Sequence, residues 1–312
     1  MLWRGTVYVL MSAVCYAFLS ILAKTAYGMG YTPLMLLFME KFLAGAVQWV
    51  ILSLFQKRLL KVSAGQFKHL LLMTLCGSAF SSLGFFYALH YLDASVATIL
   101  LFTNPAVVII LAAIFYREPF RPLQLLSLAA CITGGILVVG LSFSGDLALP
   151  PVGVALGLWA SFGLGFHTFY AQRVLGEGLH PLTITTYTNS IACLLFSFLA
   201  RPVFLFNGQL TASMWGLAVL LALLSSVLPN FLSLQGIKLI GASRAALVAS
   251  FELPCNVFLA ALFLGERLTS TQLLGALLVL AGVLLVHWDK DWPVVRPAVG
   301  TKVETFEIPE GR

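Results

Sequence analysis

The stretch ASFELPCN (Ala249–Asn256) places an ionisable carboxylate, Glu252, two positions before a proline in the middle of a long apolar run. A charged carboxylate at the centre of a bilayer costs roughly 2.5–3.5 kcal/mol on insertion scales, so it needs a partner, a proton or water. Pro254 has no backbone N–H to donate to the carbonyl of Ser250, which predicts a kinked helix with a free acceptor. The stretch indicates either a structural ion pair or a polar site inside an apolar helix.

The composition around this stretch is that of a membrane protein. Apolar residues make up 60% of the 312 residues and charged residues only 10%, against about 25% charged residues in soluble domains, and the mean hydropathy is +0.98. Apolar runs of roughly 20 residues, long enough to cross a bilayer as helix, recur along the chain. We predict an all-α integral membrane protein with about ten transmembrane helices, at 5–27, 32–54, 67–89, 94–116, 122–142, 151–174, 181–200, 211–235, 242–264 and 271–288.

Basic residues are concentrated in the loops of one side of this predicted topology. The opposite side keeps only Arg201 and Arg267 in its loops. Because cytoplasmic loops carry the excess of Lys and Arg, both termini are expected in the cytoplasm. The net charge of +6 therefore reflects topology and attraction to anionic lipid headgroups, and no nucleic-acid partner is expected.

The chain repeats itself at an offset of 148 residues. Glu118 and Glu266 are separated by this offset, and so are several Pro, Ser, Gln and Gly pairs, among them Pro33 and Pro181, Ser78 and Ser226, and Gly134 and Gly282. We predict two five-helix repeats, residues 1–145 and 146–288, followed by a flexible cytoplasmic tail, residues 289–312. Five is an odd number, so the two repeats would enter the membrane from opposite sides, as inverted repeats with a substrate site near the midplane.

The same offset pairs Glu252 with Asn104, which also stands beside a proline in FTNPAV (102–107). Each lies roughly ten residues into its span, about 15 Å along a helix, near the bilayer centre. Pro105 cannot donate to the carbonyl of Leu101, so a second kink with a free acceptor is predicted.

The candidate partners of Glu252 are Lys24, Lys41 and His167. Glu40 and Lys41 are expected not to face the same way, because successive helix positions point about 100° apart. Two interpretations stay open at this point: Glu252 belongs to a structural ion pair or packing hydrogen bond, or it belongs to a substrate or proton site.

Polar residues in other spans form stripes at helical spacing, which is typical of helices that line a wet cavity. Small and hydroxyl residues also allow close helix packing, so the serines alone favour packing. The stripes are Ser12, Tyr16, Ser20 and Lys24; Ser226, Pro229, Asn230 and Ser233; and Trp159, Gly163, His167 and Tyr170.

Catalytic and metal-dependent functions find no support in the motifs. The five histidines show no paired metal-ligand spacing with Cys or acidic residues, and no Walker, GxSxG or HExxH motif occurs. We therefore expect no enzyme activity, no metal ion and no cofactor.

Two segments carry a family resemblance. They are FTNPAVVIILAAIFYREPFRPLQLLSLAACITGGILVV (102–139) and FELPCNVFLAALFLGERLTSTQLLGALLVLAGVLL (251–285). With the Gly5 to Phe42 opening and its echo at Gly153 to Ser190, the chain resembles the EamA-type branch of the drug/metabolite transporter superfamily over about residues 5–288. The resemblance implies two tandem five-helix repeats and alternating-access transport of small metabolites, commonly amino acids. In this chain Asn104 stands where an acidic residue is frequent in the family.

The sequence thus predicts a secondary transporter, as an exporter of small metabolites such as amino acids, in a bacterial cytoplasmic (inner) membrane. Its partners would be a small-molecule substrate and membrane lipid, with proton coupling as one hypothesis, and either a monomer or a homodimer is expected. The alternative is a non-transporting membrane scaffold or a sensor of a lipid or metabolite. The candidate substrate-binding residues are Tyr16, Tyr87, Asn104, Trp159, His167, Asn230 and Glu252.

Overall fold

The structure is a computed structural model that describes residues 2–92, 97, 100–139, 150–205, 207, 210–264 and 269–288. Within these ranges the regular structure is helical throughout. The predicted tail, residues 289–312, lies outside the described residues. The α-helices are α1 Leu2–Ala17, α2 Leu19–Gly28, α3 Pro33–Phe55, α4 Ala64–Met73, α5 Ala79–Tyr91, α6 Asn104–Tyr116, α7 Pro122–Val139, α8 Pro151–Gly176, α9 Pro181–Ala200, α10 Ala212–Leu221, α11 Leu228–Ile240, α12 Ala242–Ala249, α13 Glu252–Leu264 and α14 Ser270–Trp288.

Six helical stretches in the described residues are long and apolar enough to cross a bilayer. They are Leu2–Gly28, Pro33–Phe55, Ala64–Ala88, Pro151–Gly176, Pro181–Ala200 and Ala212–Ile240. Shorter apolar helices occur at Asn104–Tyr116, Pro122–Leu137 and Ser270–Leu285. The prediction of an all-α integral membrane protein is confirmed, and six of the predicted spans have full-length counterparts.

The predicted fourth and ninth spans are interrupted near their centres. The helix breaks at residues 102–103 before α6, and again at residues 250–251 between α12 and α13. Pro105 and Pro254 each lie in the first turn after a break, where a proline's missing N–H is tolerated. The predicted kinks at both prolines are confirmed.

Helix starts follow from local capping chemistry. Proline occupies the first turn of α3, α8 and α9. The Thr32 side chain accepts a hydrogen bond from the backbone N–H of Met35, and Ser63 forms a capping box with Gln66. These caps satisfy donors that the first turn of a helix leaves free.

Two π-helical turns interrupt the third and eighth spans at equivalent positions of the repeat. One covers Thr74–Ser78 and the other Ala222–Val227, so their first residues are separated by the 148-residue offset. A π-turn inserts an extra residue into a helix and frequently marks a functional site. The repeat therefore extends to an irregular feature of the backbone.

Contacts between the two halves occur twice, with the roles of the halves exchanged. A Cβ on Gly5 would lie 2.5 Å from the Ile240 side chain, and a Cβ on the equivalent Gly153 would lie 2.7 Å from Leu92, the equivalent of Ile240. In the same way, Ser12 donates to the carbonyl of Pro229 over 2.8 Å, while Ser81 donates to the carbonyl of Ala160 over 2.8 Å. Such exchanged contacts are those of two similar halves packed face to face.

Helices α7 and α14 also make a pair of contacts in which the two halves exchange roles. A Cβ on Gly134 would lie 2.8 Å from the carbonyl oxygen of Gly275, and a Cβ on Gly282 would lie 3.0 Å from that of Ser127. Glycine at both positions lets the two backbones approach closely, as small residues do between membrane helices.

Two large clusters make up most of the apolar core of the described residues. The first apolar cluster contains Val9, Met73, Phe169, Leu234, Leu247 and Val283. The second apolar cluster contains Leu22, Phe38, Phe86, Phe196, Phe204 and Leu221. Along α1 and α2, Tyr16 lies between Val9 of the first and Leu22 of the second. Along the eighth span, Ser225 to Asn230 lie between Leu221 of the second cluster and Leu234 of the first. Polar residues therefore occupy a middle layer between two apolar ones.

Candidate functional site

A hydrogen-bonded group of polar side chains, which we name the polar centre, occupies this middle layer. It comprises Tyr16, Glu40, Lys41, Ser225, Ser226 and Asn230. The Tyr16 hydroxyl donates to Asn230 Oδ1 over 2.7 Å, and Asn230 Nδ2 donates to the backbone carbonyl of Ser226 over 2.8 Å. The first span is thereby joined to the eighth at mid-depth. The structure brings together two of the sequence-predicted site residues, Tyr16 and Asn230.

Glu40 and Lys41 form a buried ion pair in the polar centre. Lys41 Nζ lies 2.8 Å from Glu40 Oε1, and the two side chains are 10% and 5% exposed. The expectation that these residues face different ways is wrong. Their Cβ atoms do point apart on the helix, but the flexible four-carbon stem of lysine lets the ammonium reach back to its neighbour. The ion-pair partner of Lys41 is therefore Glu40 and not Glu252.

The second π-turn, Ala222–Val227, supplies the other hydrogen-bonding groups around Glu40 and Lys41. Lys41 Nζ donates to Ser226 Oγ over 2.7 Å, and Ser226 Oγ donates to Glu40 Oε1. Ser225 Oγ lies 3.0 Å from the same carboxylate oxygen. Adjacent residues of a regular α-helix point about 100° apart, and here the wide π-turn directs two consecutive hydroxyls to one oxygen. The site thus depends on an irregular turn that periodicity arguments do not anticipate.

Glu252 lies at the first turn of α13, beside the polar centre. Its carboxylate is within electrostatic range of the Tyr16 phenol, as is that of Glu40. Within the described part of the chain, Glu252 has no hydrogen-bond or ion-pair partner, and its side chain keeps partial accessibility. Of its candidate partners, Lys24 has a side chain outside the described residues. Tyr16 is therefore close to two carboxylates, one of them neutralised by Lys41.

His167, in α8 of the second repeat, lies near the Lys41 side of the polar centre. Gly77, in the first π-turn, packs directly against this residue. A Cβ added to Gly77 would lie 2.9 Å from the Cβ of His167, so only glycine fits at position 77. The imidazole lies within electrostatic range of Lys41. His167 is thus near the ion pair and is not paired with Glu252.

Asn104 makes a local hydrogen bond within its own broken helix. Its side-chain Nδ2 donates to the backbone carbonyl of Leu101 over 3.0 Å, which is the carbonyl that Pro105 leaves without a helical partner. The free acceptor expected at Leu101 is therefore absent. The carbonyl of Ser250 likewise accepts from the backbone N–H of Leu253 over 3.1 Å, so that expectation was wrong as well. In both helices a local hydrogen bond closes the gap left by proline.

Tyr87 and Trp159 line an apolar groove of about 360 Å³. Both are exposed, Tyr87 by 41% and Trp159 by 49%. Trp159 packs on Phe80, with ring centroids 4.8 Å apart. The remaining lining residues are Leu34, Phe80, Leu83, Gly84, Leu156 and Leu199. The structure places these two predicted site residues in apolar surroundings, and among the described residues no hydrogen bond or ring contact joins them to the polar centre.

A further buried polar network joins α3 to α9. Gln48 is fully buried, and its Nε2 donates to Thr185 Oγ1 over 2.9 Å while its Oε1 accepts from Asn189 Nδ2 over 3.0 Å. The patterns in the sequence do not predict this network or the role of Ser225. The repeat offset carried a signal, because it pairs Lys41 with Asn189, two buried polar residues of α3 and α9.

Among the titratable groups outside the spans, Glu118 and His180 have pKa values that are shifted by their surroundings. Burial raises the pKa of Glu118, which follows α6, and a 2.9 Å hydrogen bond donated by Ser243 opposes this shift. Burial, together with the nearby charge of Lys238, lowers the pKa of His180. His180 caps α9 by accepting from the backbone N–H of Leu182 over 3.2 Å. A neutral imidazole is required for this cap.

A bundle of apolar helices in two similar halves, with charged groups held between two apolar clusters, defines an integral membrane protein of the transporter type. No group of three or more metal-ligating side chains occurs in the described residues. The model of the EamA-like transporter family matches residues 3–140 and again 151–288, and the chain belongs to this family.

Curated relatives carry the same class of name. The uncharacterized transporter YcbK of Bacillus subtilis is 29% identical over 281 residues, which is 87% of this chain and 88% of that protein. The uncharacterized transporter sll1319 of Synechocystis is 28% identical over 67% of this chain and 63% of its own length. The uncharacterized inner membrane transporter YicL of Salmonella typhimurium is 26% identical over 70% of this chain and 73% of its own length.

A solved crystal structure of a protein has the same fold. It superposes with a TM-score of 0.72 over 91% of this chain and 96% of that chain, at 14% sequence identity. At this identity the likeness concerns the fold alone.

Proposed function

We propose that this protein is a secondary transporter that exports a small metabolite, such as an amino acid, across a bacterial cytoplasmic membrane by alternating access. The observation that carries the proposal is Glu252, a carboxylate with no partner in the described residues, beside a buried polar centre at mid-depth. An intramembrane ionisable group marks a substrate or ion path by default. Membership of the EamA-like transporter family supports the same conclusion.

The proposed architecture is ten spans in two inverted five-helix repeats, residues 1–145 and 146–288, with both termini cytoplasmic. The exchanged contacts of Gly5 with Ile240 and of Gly153 with Leu92 support a two-fold relation between the halves. The charge bias of the loops supports the orientation. In alternating access, the first and second apolar clusters would close the two ends of the path in turn.

In this proposal the substrate's ammonium group binds to Glu252 and Tyr16. The Glu252 carboxylate supplies charge, and the Tyr16 ring offers a face for a cation. Asn230 and His167 would contribute polar contacts from opposite sides of the polar centre. Asn104 would hold the broken helix that faces them, while Tyr87 and Trp159 would contact apolar parts of the substrate in their groove.

Purified protein in proteoliposomes loaded with a panel of labelled amino acids and simple amines tests transport directly. We expect flux of at least one compound bearing an ammonium group, and release that is faster from one face than the other. Correctly folded protein that moves none of these compounds would favour the alternative, a membrane scaffold or sensor.

Proton coupling through Glu252 is tested in the same vesicles with an imposed pH gradient. We expect Glu252→Gln to abolish gradient-driven flux while Glu118→Gln, a matched change outside the spans, retains it. Intact gradient-driven flux in Glu252→Gln would exclude the proton role of Glu252.

A further inference from the structure

The Lys41 ammonium lies in a pocket of oxygen atoms that resembles the coordination shell of a cation. It contacts Glu40 Oε1 at 2.8 Å and Ser226 Oγ at 2.7 Å, and Ser225 Oγ contacts the same carboxylate oxygen at 3.0 Å. Carboxylate and neutral oxygens are the ligands that hard cations take from proteins. The pocket therefore has the donor chemistry of a cation site.

This pocket is built by two separate elements. Glu40 comes from α3 of the first repeat, and the two hydroxyls come from the π-turn of the second. Glu40 is 4% exposed and Ser226 is fully buried. A buried ionised carboxylate without a counter-charge is strongly destabilising, so a positive charge at the position of Nζ lets Glu40 stay ionised.

We propose that Lys41 is a tethered counter-cation, occupying a monovalent-cation site formed by Glu40, Ser225 and Ser226. Because the cation belongs to the chain itself, the wild-type protein needs no Na⁺ or K⁺ at this site. Removing the lysine side chain would open the site to a cation from solution. The prediction concerns stability, so it can be tested whether or not the substrate is known.

The experiment measures the thermal unfolding midpoint, Tm, of detergent-solubilised protein at equal ionic strength in three salts. The salts are NaCl, ethylammonium chloride, whose cation matches the end of a lysine side chain, and the chloride of N-methyl-D-glucamine, whose cation is too large for the pocket. Wild type should have the same Tm in all three. Lys41→Ala should lose about 5–10 °C in N-methyl-D-glucamine and recover at least half of it in NaCl or ethylammonium chloride.

Two control variants separate charge from space. Lys41→Met removes the charge but fills the pocket, so it should show a much smaller recovery. The double variant Glu40→Gln with Lys41→Ala keeps the space but removes the anion, so its Tm should not depend on the cation.

A Lys41→Ala protein with equal Tm in all three salts would overturn the proposal, as would a wild-type protein that NaCl stabilises by as much as it stabilises the variant. If Lys41→Ala can be purified only in NaCl or ethylammonium chloride, that dependence is itself the expected result. Failure to purify it in any of the three salts would count against a site open to external cations.

Discussion

The Tyr16 hydroxyl and Asn230 Oδ1 are joined by a 2.7 Å hydrogen bond that crosses from the first repeat to the second. Asn230 is fixed in turn by its 2.8 Å bond to the carbonyl of Ser226, whose hydroxyl contacts both members of the Glu40–Lys41 pair. The Tyr16 phenol therefore links α1, which lies near Glu252, to the buried Glu40–Lys41 ion pair. A change at Tyr16 should affect both the organisation of the site and the contact between repeats.

Tyr16→Phe removes this hydrogen bond and keeps the aromatic ring. A typical intramolecular hydrogen bond contributes about 1 kcal/mol, so we expect Tm to fall by about 2–4 °C. Phe keeps the ring face that is proposed to contact the substrate's ammonium group, so transport in proteoliposomes should fall by less than about tenfold. Tm and initial flux measured on the same preparation check both expectations.

Tyr27→Phe is the matched control on the same span. In the described part of the chain the buried Tyr27 hydroxyl has no hydrogen-bond partner, so its removal relieves an unsatisfied group. Its Tm should stay the same or rise. Equal losses of stability in both variants would show that the bond to Asn230 contributes nothing.

Gly134→Ala tests the close contact of α7 with α14. The added Cβ would lie 2.8 Å from the backbone carbonyl oxygen of Gly275, which cannot move aside as the end of a side chain can. Forcing extra volume into a packed interior costs about 1–3 kcal/mol. We expect Tm to fall by roughly 2–8 °C, and Gly282→Ala, at the equivalent position, to behave in the same way.

Gly216→Ala provides the control inside α10. Nothing lies within 4 Å of its added Cβ, and alanine is the better helix former by roughly 0.8–1.0 kcal/mol. This variant should be as stable as wild type or more so. A Gly134→Ala protein that gains stability like Gly216→Ala would contradict the close approach.

The repeat offset was the most informative feature of the sequence for the fold. Pairs such as Gly134 and Gly282 are recognisable without coordinates, because a glycine retained at equivalent positions of two apolar helices indicates a close approach. The broken helices at Pro105 and Pro254 were also predictable, since proline removes a helical hydrogen bond wherever it occurs.

The polar centre was predictable only in part. Tyr16 and Asn230 lie on stripes at helical spacing, so their meeting follows from periodicity. The Glu40–Lys41 pair does not follow from periodicity, because successive helix positions point about 100° apart. The reach of the lysine side chain and the π-turn that aligns Ser225 with Ser226 together override this spacing. The 148-residue offset pairs Asn104 with Glu252, but the two side chains differ in chemistry. An amide can donate to a backbone carbonyl and an ionised carboxylate cannot, so only Asn104 can replace the helical hydrogen bond that proline removes.

Asn104→Leu tests whether the amide replaces the helical bond that Pro105 removes. The substitution leaves the Leu101 carbonyl without its 3.0 Å donor, at a cost of about 1–3 kcal/mol for an unsatisfied buried group. Tm should fall by roughly 2–8 °C. Pro105→Ala restores a backbone N–H at that position, so the double variant should recover much of the loss. Strictly additive losses in this double-mutant cycle would exclude the proposed replacement.

The cap at His180 predicts a specific dependence of stability on pH. Burial and Lys238 lower the pKa of His180 below its ordinary value of 6.5, so the unfolded chain takes up the proton before the folded one does. Stability is therefore complete above about pH 6.5 and is lost as the pH falls through the lowered pKa. Protonation also removes the acceptor that the N–H of Leu182 uses.

His180→Asn keeps a capping side chain that does not titrate. Between pH 8 and pH 5, the Tm of wild type should fall by about 1–2 °C more than that of His180→Asn, a small effect because solvent screens the partly exposed ring. Lys238→Met should raise the pKa of His180 toward its ordinary value and reduce the difference. Wild type and His180→Asn with the same pH profile would show that the cap does not titrate in this range, whereas a difference that Lys238→Met reduces would attribute part of the shift to the lysine charge.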